Sequence, residues 1–277
     1  MRRWVTTVAA VLFCSAALRA DVTIVQTTTV EGGMAAMAAQ SGANMNPKMT
    51  TRIRGMQSRT DVDAGTVAVS TIVDLTTKQV IVLNAMQKTA TIANVTPPPA
   101  GTPAQPTTTG PTVDAAIKPT GKSQVIDGIK CDEYSFNTSV DMSTMAPANA
   151  PPEAAAAMQG IKMVMNGSMW VAKEVPGAEE YLAFQKSSMA ANLGASAMSA
   201  AGMSVPGMDK LMKAVGSVNG LTYLTEMTMT MEGTGQIADM MRQMGPMKIT
   251  TKVSSVKTDK VDDSAFKVPE GYTTIKQ

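Results

Sequence analysis

Methionine is the side chain with which this sequence could do chemistry. The chain carries 25 methionines and only 4% aromatic residues. Three of them alternate in Met227-Thr-Met229-Thr-Met231, and Met240-Met241-x-x-Met244 follows shortly after. Thioether side chains are unbranched and polarizable, so a row of them adapts to apolar ligands of variable shape. The same sulfurs are soft ligands that select Cu(I) in an oxidising compartment. Against copper, the histidine that usually assists is absent. The plainer alternative is that these methionines fill a loosely packed core.

Other chemistry is thin. A chain without histidine has no Ser-His-Asp or Cys-His catalysis, no imidazole metal ligation and no histidine general base. The acid pairs Asp132-Glu133, Glu179-Glu180 and Asp262-Asp263 are adjacent in sequence. Adjacent residues on a strand point to opposite faces, so these read as solvated surface or turn. Cys131 has no matching base and reads as a buried small hydrophobe, with a lone reactive thiol as the alternative. The expectation is a protein that is not an enzyme, with no cofactor and no resident metal.

The element that positions the methionines is Leu221–Glu232. Read as a strand, it places Leu221, Tyr223, Thr225, Met227, Met229 and Met231 on one face and Thr222, Leu224, Glu226, Thr228, Thr230 and Glu232 on the other. A second strand, Ile161–Val171, carries Met163, Met165 and Met169 with one parity, next to Trp170. The expected hydrophobic ligand face is therefore Tyr223, Met227, Met229, Met231, Met163, Met165 and Trp170. Two helical stretches would supply a lid: Pro206–Val215 with Met208 and Met212, and 233–245 with Met240 and Met244.

Residues 1–20 read as a secretory signal peptide. Met1-Arg2-Arg3 is a basic start, Val5–Leu18 is apolar but short, and Ser15–Ala20 supplies small residues, with cleavage expected after Ala20. Cys14 follows Leu12-Phe13 rather than a small residue, which argues against lipidation. Removing Arg2, Arg3 and Arg19 leaves 21 basic against 22 acidic residues, a formal charge of −1. Such a chain gives no electrostatic reason to bind nucleic acid. No later apolar run approaches membrane-spanning length. Cys131 then remains alone, so no intramolecular disulfide is expected. The expected location is the periplasm or the exterior.

Along residues 21–277, short β-branched runs alternate with turn signals. Strands are expected at Asp21–Val30, Lys48–Gly55, Met56–Val62, Thr66–Leu75, Gln79–Leu83, Met86–Ala93, Ile129–Phe136 and Met247–Lys257. Met34–Met45 reads as a weak helix or a loop. The best helix is Ala178–Leu193, halted upstream by Pro176-Gly177 and begun by Glu179-Glu180, with Tyr181, Leu182, Gln185 and Met189 as a rough stripe. Residues 95–119 and 139–157, rich in Pro, Thr and Ala, read as exposed low-complexity loops within one domain.

Three passages occur in order: DGIKCDEY at Asp127–Tyr134, WVAKEVPGAEEYLAF at Trp170–Phe184 and DDSAFKVPEGYTTI at Asp262–Ile275. Together they resemble the domain-of-unknown-function family numbered 4412, found in secreted bacterial proteins. That family looks distantly like the periplasmic lipoprotein carriers. The resemblance implies a mainly β (α+β) fold: a curved, open antiparallel sheet, a half-barrel, with a few helices covering its concave face. The Pro/Thr and Ala/Pro segments would be insertions in it, and no catalytic residue carries over. The expected function is non-enzymatic binding of a lipid, a lipoprotein acyl chain or another hydrophobic ligand on the Met-rich concave face. The alternatives are an envelope structural or interaction protein with a protein partner and no small ligand, and a Met-based Cu(I) binder.

Overall fold

Alternating β-branched and threonine-rich runs build two antiparallel meanders that fuse into one sheet. In the computed structural model, residues 21–40, 44–65, 68–94, 113–141, 160–191 and 214–276 are described. The first meander is β1 (Val22–Glu31), β2 (Lys48–Arg54), β3 (Gln57–Asp63), β4 (Ala68–Asp74), β5 (Gln79–Asn84) and β6 (Thr89–Asn94). The second is β7 (Val113–Ile126), β8 (Ile129–Asp141), β9 (Lys162–Ala172), β10 (Leu221–Glu232) and β11 (Met247–Lys257). β11 pairs antiparallel with β1 and joins the two. β12 (Thr273–Lys276) adds to β6 in parallel, giving the order β12-β6-β5-β4-β3-β2-β1-β11-β10-β9-β8-β7 in a 12-stranded sheet. The sheet is open and curved, and β7 and β12 are its edges.

Two hairpin turns share one device. Asp74 Oδ1 accepts from the Thr76 and Thr77 N–H groups, and Asn84 Oδ1 accepts from those of Met86 and Gln87. Each turn ends on a lysine in the left-handed region, Lys78 (φ 53°) and Lys88 (φ 49°). An Asp or Asn side chain that satisfies the turn's own N–H groups fixes the bend. The second turn is why β6 starts at Thr89 rather than at the expected Met86.

Among the described elements, helices α1 (Gly33–Gln40), α2 (Ala178–Ala190) and α3 (Gln236–Gln243) accompany the sheet. None of the described helices is long and apolar enough to cross a membrane. α1 and α3 abut at their ends, where a Cβ on Gly33 would collide with the Met244 carbonyl oxygen, so only glycine fits.

The closing motif of the sequence is a strap on the outer face, the face opposite α2. A 3₁₀ turn at Asp263–Phe266 is capped by Asp262, whose carboxylate accepts from Ser264 N–H. It buries Val261 and Phe266 against Ile72, Leu83 and Ala90 of β4–β6. Arg54 stacks 4.9 Å from the Phe266 ring centroid and pairs with Asp263. Arg59 donates to the Ala265 carbonyl at 3.1 Å.

Three expectations change. β7 begins at Val113, inside the span read as a loop over 95–119. Pro119 is tolerated there because β7 is an edge strand, where a missing N–H leaves no ladder bond unmade, and the register breaks between Pro119 and Ser123. β8 runs on to Asp141, beyond the expected end at Phe136, because Thr138 and Val140 are buried. The sheet is antiparallel except for the β6–β12 pair. Residues 1–20, Met208 and Met212 lie outside the described residues.

Candidate ligand-binding cleft on the inner face

Register places the methionines together. Met229 stands between Met165 on β9 and Met247 on β11, Met231 beside Met163, and Met227 between Gly167 and Ile249. Paired residues share a face. The same row passes from Thr225 through Thr251 to Thr28 on β1, and the Thr28 and Thr251 hydroxyls lie 2.9 Å apart. Alternation along β1 then brings Gln26 and Ile24 to this face, and pairing extends it to Met49 and Thr51 on β2. Methionines of β9–β11 and the inner surface of β1–β3 therefore form one continuous surface.

Helix α2 covers the β1–β3 part of that surface. The chain leaves β9, turns at Gly177 against Val22 and starts α2 there, with Ala178, Glu180 and Phe184 buried. Between α2 and the sheet lies a cleft of ≈ 320 Å³. Ile24, Ile53, Phe184, Leu221, Met49 and Met189 supply apolar wall, and Gln26, Thr51, Ser58, Thr60, Gln185 and Ser188 supply hydroxyls and amides. Tyr181 also lines it, and burial pushes its phenol pKa up, so it stays neutral. No charged side chain is among these lining residues. The volume falls in the range of small-molecule sites, about 300–1,000 Å³. A larger hollow of ≈ 530 Å³ lies under α1, lined by Val30, Ala35, Ala36, Ala39 and Asn44–Asn46.

The expected site residues distribute as follows. Met163, Met165, Met227, Met229 and Met231 share the inner face and are half-buried. Tyr223 is 6% exposed in the main core, and its hydroxyl lies 3.4 Å from Asp127 Oδ2. Trp170 pairs with Leu224 and Glu133, on the opposite parity from Met163, Met165 and Met169, and is buried in the core with its Nε1–H unpartnered. Met240 is 55% exposed and Met244 half-buried at the α3 C-terminus. Pattern reading missed the cleft itself. The alternation of Val22, Ile24 and Gln26 and the Tyr181–Gln185–Met189 stripe were the signals that pointed there.

Elsewhere, burial and neighbouring charges shift several ionisable groups. Cys131 is fully buried and its Sγ lies 3.6 Å from the Ile129 carbonyl. Burial raises its pKa, and the charges of Asp132 and Asp127 raise it further, so the thiolate is disfavoured. Tyr223 is raised by burial and then by Asp127, while Lys252, hydrogen-bonded to Asp127, is raised by that bond. Among the described residues no group of three or more His, Cys, Asp or Glu side chains could hold a metal ion.

No family model matches the chain, and no curated protein matches it. The resemblance to the family numbered 4412 therefore stands on the three sequence passages alone. Among solved structures, the chain is similar to an uncharacterized conserved protein from Thermus thermophilus, at 6% identity and a TM-score of 0.38, over 94% of this chain and 92% of that one.

Proposed function

We propose that this is a non-enzymatic, exported protein that holds a hydrophobic chain in the cleft between α2 and the inner face of β1–β3. The observation that carries the reading is the cleft's composition: an apolar wall with hydroxyl and amide groups and no charge among its described lining residues. Such a surface suits an apolar chain ending in an uncharged polar group, since a carboxylate or phosphate would be desolvated without a cation to meet it. The half-buried methionines on β9–β11 continue the same face and offer adaptable contact to the remainder of a longer chain. The export signature of residues 1–20 and the absence of histidine support a binding role outside the cytoplasm.

The test is displacement of a polarity-sensitive fluorescent hydrophobe by monoacylglycerols of increasing length. Ser188→Phe fills the cleft from the helix side and should weaken dye binding at least tenfold with the melting temperature retained. Unchanged dye affinity in that variant would remove the cleft from the proposal.

A further inference from the structure

The inner face carries a second arrangement, separate from the cleft. Met163 pairs with Met231 and Met165 with Met229, so four thioether side chains occupy two consecutive inward positions on each of two neighbouring strands. Paired Cβ atoms on adjacent strands stand about 5 Å apart, and inward residues along one strand about 7 Å. The four Cβ atoms therefore mark a rectangle whose centre is about 4 Å from each corner, within reach of a flexible methionine sulfur leaning inward. Met247 stands beside Met229 on the next strand and adds a fifth sulfur at the edge. All five are half-buried, so the group is neither sealed in the core nor spread in water. β9 and β10 are distant in sequence, and it is their register that brings the two methionine pairs into coincidence.

We infer that Met163, Met165, Met229 and Met231 form a binding site for a soft monovalent cation of the Cu(I) or Ag(I) class. Neutral thioethers are poor ligands for hard divalent ions and good ones for soft monovalent ions. No cluster of carboxylates, histidines and cysteines among the described residues offers those harder ions a competing site. Aliphatic residues at these positions would serve packing as well as methionine does, whereas only sulfur would hold the ion. Binding involves no electron transfer: the ion exchanges water or a carrier ligand for thioether sulfur and keeps its charge.

The experiment is titration of the full purified chain with Ag(I), followed by native mass spectrometry and competition with a thioether chelator. Binding of one ion per chain is expected. Met165→Leu with Met229→Leu keeps volume and apolarity and should weaken binding at least thirtyfold, with the circular dichroism spectrum and melting temperature unchanged. Should the double variant fail to fold, Met163→Leu and Met231→Leu alone should each weaken binding about fivefold. Met56→Leu with Met86→Leu, two exposed methionines away from the group, should leave it intact. Absence of Ag(I) binding, retained affinity in the inner-face variants, or equal loss in the exposed control would overturn the inference.

Discussion

Gly177 joins the sheet to the helix that roofs the cleft, and replacing it with alanine tests that joint. The residue caps α2 with φ 77°. A Cβ there would lie 2.5 Å from Val22 Cγ2 and 3.0 Å from Val22 Cβ, and Val22 is fully buried at the start of β1. Holding alanine in the left-handed region costs about 1–2 kcal/mol, and forcing a methyl into a packed site about 1–3 kcal/mol. The expected destabilisation of Gly177→Ala is therefore about 2–5 kcal/mol, a fall of roughly 5–15 °C in melting temperature for a chain of this size. Chemical denaturation followed by circular dichroism measures it. Adding Val22→Ala relieves the collision but not the backbone strain, so the double variant should be more stable than the sum of the single effects by about 1–2 kcal/mol. A Gly177→Ala variant within about 0.5 kcal/mol of the parent, or strict additivity with Val22→Ala, would refute the packing described at this joint.

Two further outcomes follow from the charged network and the thiol. Asp61 accepts from Ser70 at 2.6 Å and Arg59 Nε at 2.7 Å, and pairs with Arg52. Burial alone would raise its pKa, but the Ser70 and Arg59 hydrogen bonds, the Arg59 charge and the Arg52 hydrogen bond outweigh it and hold the carboxyl below its ordinary value. The carboxylate's stabilisation is then complete above the unfolded pKa of about 3.9 and is lost as pH falls through the lower folded value. Asp61→Asn should cost about 1–2 kcal/mol at neutral pH and flatten that acid limb, and an unchanged limb in a stability-versus-pH series would contradict the network's role. Cys131, buried and with a raised pKa, should resist maleimide in the native protein and label fully in denaturant, and rapid native labelling would place it at the surface instead.

How much of this was legible in the sequence depended on the residue pattern. β10 and β11 match their expected bounds because polar and apolar residues alternate over Glu226–Glu232 and Met247–Thr250, and β-branched and threonine residues fill much of the rest. α2 was visible because Pro176-Gly177 stops the preceding strand and an acidic first turn follows. Strand order was not visible: alternation shows which face a residue takes but not its neighbour, so the β1–β11 seam and the parallel β12 had no local signature. β7 was hidden because an edge strand tolerates proline and exposed polar residues that elsewhere signal a loop. Trp170, expected on the methionine face, takes the other side of β9, as its even position in the strand requires. The cleft went unread because Gln26, Thr51, Ser58 and Thr60 are ordinary strand residues that become a lining only when α2 lies over them.

The central claim is that an apolar chain lies under α2. The most direct measurement is photocrosslinking with an alkyl-diazirine monoacylglycerol, with the modified residues mapped by peptide mass spectrometry. Adducts on Tyr181, Gln185 or Met189 of α2 and on Met49 or Ile53 of β2, suppressed by unlabelled monoacylglycerol, are the predicted result. Adducts confined to the outer-face strap around Phe266, or none that unlabelled ligand suppresses, would contradict it.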